Sequence, residues 1–447
     1  MKQLVLSTLV VTVLAGGPCF ASSHKASSTA GKQQLVPAPL RSDAAAPIPA
    51  HPSPYNFPGV QYPRIEEDAR VSFQFKAPEA QKVQVSINNV AYDMTKGENG
   101  VWSYTSAPQA PGYHNYWMLV DGAVVLDPAT NAFIGYGHMC NGFEVPEPGV
   151  SFYDLKDVPH GDVRIKNYFS KTANAWRHIF VYTPPGYEKG SARYPVLYLQ
   201  HGGGEDERVW TEMGRTNLIL DNLLADGKVK PMIVVMETSA VGPPPAPPAG
   251  GAGPRAAGAG PAAGAARGGG LAGMGAAGSA YAKLMINDLI PWVDANFRTV
   301  ADKDHRAMAG LSMGGFMTAT VTMNNLDKFS YIGLFSGGTS SGFGGRRPAG
   351  GGAEANTPPP QAAALDLKTI YSGAMADPAK FNKSVKVFFF SGGTVPPIEN
   401  PDNLKRHQEQ LIAAGVTNSY VYISPGTAHE WQTWRRSLYV FAPLLFR

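Results

Sequence analysis

The chain has 447 residues, 44% of them hydrophobic and 16% charged, with a formal net charge of +4. That length exceeds one ordinary core and predicts two domains plus tails, and the composition is that of a globular protein. A small net charge without Lys/Arg clusters argues against nucleic acid or an anionic membrane surface as a partner.

In chain order, Lys2, the apolar run at 4–14 and Cys19-Phe20-Ala21 read as a signal peptide over 1–21. The run is too short to span a bilayer, and Gly16, Gly17 and Pro18 would break a helix. A secreted or periplasmic protein is expected, with no membrane association after cleavage. Cleavage after Ala21 leaves Cys140 as the one cysteine and therefore no internal disulfide. Such a lone cysteine is expected to be a small buried hydrophobe. Residues 22–58, rich in Ala, Ser and Pro, predict a disordered linker, because little large apolar surface is present to offset ordering entropy.

From 59 to 150 the pattern is one of short alternating runs, at 71–75, 83–87, 102–104 and 113–120. Asp121-Gly122 forms a hairpin turn before 124–126. These predict a small all-β, immunoglobulin-like sandwich. Trp102, Tyr116 and Trp117 are candidates for a sugar platform, although aromatics at strand spacing favour core. From 151 to 447 the texture is α/β. Compact apolar runs at 196–199, 232–236, 307–309 and 385–390 suit buried parallel strands, and 282–297 and 403–414 suit helices. A doubly wound, mostly parallel sheet of the α/β-hydrolase class is the expectation. Two Pro/Ala/Gly tracts, 242–278 and 342–364, read as disordered surface inserts.

Gly310-Leu311-Ser312-Met313-Gly314 follows an apolar strand and precedes a helix-compatible run. This is the setting of a strand-to-helix turn that lifts a serine hydroxyl above a sheet, with glycines relieving the crowding. Ser312 is the candidate nucleophile, and it needs a base that follows it in the chain. Only His407 and His429 lie downstream. His407 falls inside the predicted helix and reads as a surface residue. His429 follows the strand at 420–423, where a base belongs. The acid should come from the loop after 385–390, whose carboxylates are Glu399 and Asp402. Asp402 can be read as a cap of the next helix, which favours Glu399 and leaves Asp402 as the alternative. The oxyanion hole needs two backbone N–H groups: Met313, and either Gly202 or Gly203 of the turn His201-Gly202-Gly203-Gly204. His201 itself reads as structural. No metal or cofactor site is expected, since the histidines are scattered and no phosphate-loop or zinc spacing occurs.

His201-Gly-Gly-Gly with Trp210, the segment Arg306 to Gly315, and the segment Gly426 to Arg436 together resemble the Putative esterase family. That family includes feruloyl and acetyl-xylan esterases and is commonly preceded by an early-set, glycogen-binding type of module. The resemblance spans roughly 160–447. It implies Ser312 as nucleophile, His429 as base, and a backbone hole at Met313 and the His201 loop. The family's acid stands three residues after a glycine, which here is Pro396; an insertion of 395–397 restores Glu399. The implied substrate is an acylated polysaccharide or oligosaccharide such as xylan. Other readings left open are an enterochelin-type or general carboxylesterase, and a carbohydrate-binding protein with a degenerate esterase domain.

Overall fold

The computed structural model describes residues 48–242, 271–339 and 365–447. The expected signal peptide, most of the linker and all of the insert at 342–364 lie outside the described residues.

The N-terminal part is all β. One sheet runs His51–Pro52, Arg64–Ile65, Val71–Lys76, Val101–Thr105, Thr95–Lys96, and the other is built around Gly112–Val120. Alternation is visible in Val71–Lys76, where Val71 and Phe73 turn inward and Gln74 outward. Their core joins Phe73, Val85, Trp102, Tyr116, Met118 and Phe143. Trp102, Tyr116 and Trp117 are all buried, so the sugar-platform reading of these three is overturned. Trp102 donates its indole N–H to the Ala77 carbonyl, and Tyr116 donates its hydroxyl to Asp127, which satisfies the polar tips of buried rings. Asp121 (φ 49°) and Gly122 (φ 87°) form the expected tight turn, and Val120 pairs with Ala123 across it.

The linker expectation fails at its C-terminal end. His51–Pro52 pairs with Arg64–Ile65, and Tyr55 packs edge-on against Phe133 at 5.0 Å and Tyr113 at 5.7 Å. One aromatic anchor and a short strand order 48–58, which an average over the segment's composition overlooks. Cys140 is buried and free.

The C-terminal part is built on eight strands: β1 Asp162–Ser170, β2 Ala175–Thr183, β3 Val196–Gln200, β4 Ile233–Glu237, β5 Arg306–Leu311, β6 Tyr331–Phe335, β7 Val387–Gly392 and β8 Ser419–Ile423. They lie in the order β1-β2-β4-β3-β5-β6-β7-β8, antiparallel at β1/β2 and β2/β4 and parallel beyond. Strands β3 to β6 are buried along their whole length, as expected of a sheet covered on both faces. The principal helices are α1 Thr216–Ala225, α2 Leu271–Leu284, α3 Met313–Met323, α4 Pro401–Ala413 and α5 Trp431–Phe441. One core gathers α1 and α5 with Tyr113 and Phe133 of the sandwich; a second lies under α2 and α3 on the opposite face.

Three local expectations are corrected. Helix α2 begins at Leu271 rather than 282 and continues through a π-helical turn, Met285–Leu289, into Ile290–Asn296. The low-complexity tract therefore does not extend to 278, and its remainder, 243–270, lies outside the described residues. The small residues that suggested disorder let helices approach: a methyl group on Gly278 would lie 3.1 Å from Thr320 of α3. Asp402 is not the cap of α4, because Asn400 accepts the Asn403 N–H at 3.0 Å and serves that role. His407 is not a surface residue. It is buried against Phe390 and bonds the Tyr371 hydroxyl at 3.0 Å, the inward stripe of α4 having claimed it.

Candidate active site

The candidate residues sit at the carboxyl ends of the parallel strands, where loops can converge over the sheet. Ser312 follows β5 directly and stands before the first turn of α3, with φ 51° and ψ −116°. A non-glycine residue held there is strained and must be over-determined by its surroundings. It is: Ser312 N–H donates to Phe335 O at 2.7 Å, and the neighbouring backbones leave no room for side chains. A methyl group on Gly310 would lie 2.4 Å from Gly314 O, and one on Gly314 2.3 Å from His201 O. Both motif glycines are sterically required.

His429 lies in the loop between β8 and α5. Its Nε2 is 2.9 Å from Ser312 Oγ and its Nδ1 is 2.8 Å from Glu399 Oε1. Glu399 stands in the loop after β7, and its other oxygen accepts the Gly393 N–H at 3.0 Å. The ring of His429 is held edge-on by Trp434 at 5.2 Å. Serine, imidazole and carboxylate thus form one hydrogen-bonded line. Asp402 is not part of it; its side chain is 81% exposed and lies 3.8 Å from Lys405.

The loop after β3 faces the elbow. A methyl group on Gly202 would lie 3.6 Å from Ser312 Cβ, and one on Gly203 4.0 Å from Met313 Cβ. Met313 opens α3, where unpaired N–H groups and the helix dipole favour negative charge. The Gly202 N–H, however, donates to Glu205 Oε2 at 2.8 Å. Gly204 leans on the sandwich, its carbonyl accepting the Gly137 N–H at 2.9 Å. His201 is buried beneath this loop, with Nδ1 against Gly202 O at 2.7 Å and Nε2 accepting the Ser239 N–H at 3.1 Å. Its ring bonds Gly202 and Ser239 rather than a member of the relay, and its contacts are structural.

Burial pushes both His201 and His407 down to about 4, from an ordinary 6.5. Between these values the unfolded chain binds protons that the folded one does not, so stability falls as pH falls across that window. The urea midpoint should drop between about pH 7 and about pH 4.5, and less steeply in His407→Gln. Identical slopes in the two proteins would show that His407 is not held neutral.

Two features of the site carried no sequence signal. Glu205 gave no hint of turning back onto Gly202. Arg435 and Arg436 of α5 reach Glu144 and Glu147 of the sandwich at 2.6 Å each, bracing the helix that His429 precedes. Among the described residues no cluster of His, Cys, Asp and Glu could hold a metal ion, and no helix is long and apolar enough to cross a membrane.

This strand order, with a serine on the turn after the fifth strand, defines an α/β-hydrolase fold behind an all-β module. The model of the Putative esterase family matches residues 170–443, and the chain belongs to that family. Over 409 residues, 89% of its length, it is 36% identical to an endo-1,4-beta-xylanase/feruloyl esterase of Xylanibacter ruminicola, of which it covers 47%. It is 27% identical over 321 residues to an esterase of Mycobacterium tuberculosis, covering 66% of this chain and 59% of that one. The chain thus spans about half the length of the curated relatives it matches. Among solved structures, an enterochelin esterase from Shigella flexneri shares the fold, with a TM-score of 0.54 and 14% identity over 84% of this chain and 91% of that one.

Proposed function

We propose that the chain is a serine carboxylic ester hydrolase that removes feruloyl or acetyl groups from a plant polysaccharide such as xylan. The observation that carries the reading is the line Ser312–His429–Glu399, with separations of 2.9 and 2.8 Å. Ser312 Oγ attacks the ester carbonyl as His429 Nε2 takes its proton, and the sugar hydroxyl leaves with that proton. Water, deprotonated by His429, then attacks the acyl-enzyme and releases the acid. Glu399 orients the imidazole and stabilises its cation. The N–H groups of Met313 and the His201 loop receive the oxyanion. The feruloyl assignment is supported by the 36% identity to the endo-1,4-beta-xylanase/feruloyl esterase of Xylanibacter ruminicola. We further read residues 1–21 as a signal for secretion and the N-terminal sandwich as immunoglobulin-like.

The test is a comparison of methyl ferulate, 4-nitrophenyl acetate and feruloylated or acetylated xylan oligosaccharides as substrates. The highest kcat/KM is expected on a feruloyl or acetyl ester carried by sugar. Turnover confined to small aryl esters would point instead to a general carboxylesterase. Xylan binding without hydrolysis of any ester would sink the enzymatic reading.

A further inference from the structure

The glycine loop after β3 is pinned on both sides of Gly203. On one side, the Gly202 N–H is engaged by Glu205 Oε2 at 2.8 Å; on the other, the Gly204 carbonyl is engaged by Gly137 at 2.9 Å. Gly204 has φ +76°, and a methyl group there would lie 2.7 Å from Gly137 N, so the second pin tolerates only glycine. Among the described residues no acceptor engages the Gly203 N–H. A methyl group on Gly202 would lie 3.0 Å from Glu205 Oε2 and 3.6 Å from Ser312 Cβ. The carboxyl group and the nucleophile therefore approach the same side of Gly202, where Leu311 Cδ1, 2.6 Å from such a methyl group, closes the remaining space.

We propose that Glu205 is a positioning residue for ester hydrolysis at this site: it withholds the Gly202 N–H from the substrate, leaves the Gly203 N–H to act beside that of Met313, and does so as an uncharged acid. The inference rests on the esterase reading above. The reason for an uncharged acid is electrostatic. As Ser312 attacks, the carbonyl oxygen gains negative charge, and a carboxylate beside it would oppose that charge.

The surroundings of Glu205 disfavour the anion. From its own loop it faces Asp206, whose charge is paired with Arg208 at 2.8 Å. From the sandwich hairpin it faces Tyr136 and Cys140, and Glu430 lies near the same Tyr136. From the elbow come Leu311 and Ser312, with His429 on the far side of Ser312. Among the described residues no cation pairs with Glu205. Burial, opposed by the Gly202 hydrogen bond and assisted by Asp206, pushes its carboxyl up to about 8. Glu205 is thus neutral below that value and becomes a carboxylate above it.

The experiment is the pH profile of kcat/KM on 4-nitrophenyl acetate and methyl ferulate for wild type, Glu205→Gln and Glu205→Ala, with thermal melts of each. Wild type is expected to lose activity by about tenfold between about pH 7 and about pH 9.5. Glu205→Gln keeps the acceptor for Gly202 and cannot ionise, so its profile should lack that alkaline fall. Glu205→Ala frees the Gly202 N–H and should lower kcat by about tenfold or more at every pH, without an alkaline fall. An unchanged alkaline fall in Glu205→Gln overturns the proposal, and so does wild-type kcat in Glu205→Ala. If Glu205→Ala melts early, the Glu205→Gln profile decides. Failure of wild type to hydrolyse any ester sinks the esterase reading itself, an outcome distinct from both.

Discussion

Replacing Ser312 by alanine is expected to reduce kcat by about 10⁵-fold or more, because the hydroxyl that forms the acyl-enzyme is gone and the rest of the relay has nothing to activate. His429→Ala should cost about as much, and the double variant no more than either alone, since the two act as one unit. Glu399→Gln is the sharper test. The amide preserves shape but cannot stabilise an imidazolium, and a loss of about 10²- to 10⁴-fold in kcat follows, with KM little changed. Asp402→Asn should stay within about twofold, since its side chain is 81% exposed and bonded only loosely to Lys405 at 3.8 Å. Single-turnover kinetics on an aryl ester would measure all five variants. A larger loss in Asp402→Asn than in Glu399→Gln would mean that the acid has been assigned to the wrong carboxylate.

Replacing Arg435 by methionine should destabilise the fold by about 3–5 kcal/mol, the cost of stranding a buried charge. Arg435 is fully buried, gives two hydrogen bonds to Glu144 at 2.6 and 3.0 Å, and donates to Met213 O at 2.8 and 2.5 Å. Glu144 also faces Arg215 at 3.5 Å and accepts from Tyr55 at 3.1 Å, so four segments meet at one carboxylate. In urea denaturation the midpoint should fall steeply. Replacing Glu144 by leucine as well should recover part of the loss, since an apolar pair strands no charge at that point. Because α5 begins two residues after His429, kcat should fall in the folded fraction too. A shift of under about 1 kcal/mol would show that the sandwich and the hydrolase sheet do not depend on this pair.

Much of the site was legible because its chemistry is local or ordered along the chain. An apolar strand, a serine between glycines and a helix-compatible run specify the elbow within a dozen residues. The base could be narrowed to two histidines because it must follow the nucleophile. The buried strands could be read for the same reason, although β7 lies at Val387–Gly392 rather than at 385–390. The acid was only half legible. Two carboxylates shared one loop, and which of them turned inward depended on Asn400 taking the cap of α4 and on Gly393 offering Glu399 an N–H.

His407 and the start of α2 were misread for related reasons. An imidazole within a polar helix looks solvated until the neighbouring strand is present to cover it. A Gly/Ala-rich stretch looks disordered until a second helix packs closely against it.

What the sequence by itself determined, then, is the strand–serine–helix turn, the histidine that follows it and the two-part organisation of the chain. All of these depend on backbone sterics and hydrophobic period over short spans. Only the tertiary structure decided which carboxylate meets His429, that Glu205 claims the Gly202 N–H, and that Glu144 and Arg435 join across 291 positions. Those choices belong to side chains competing for partners far away in the chain. Such competition leaves no period or spacing to read, because its outcome is set by burial, and burial exists only once the two parts have packed.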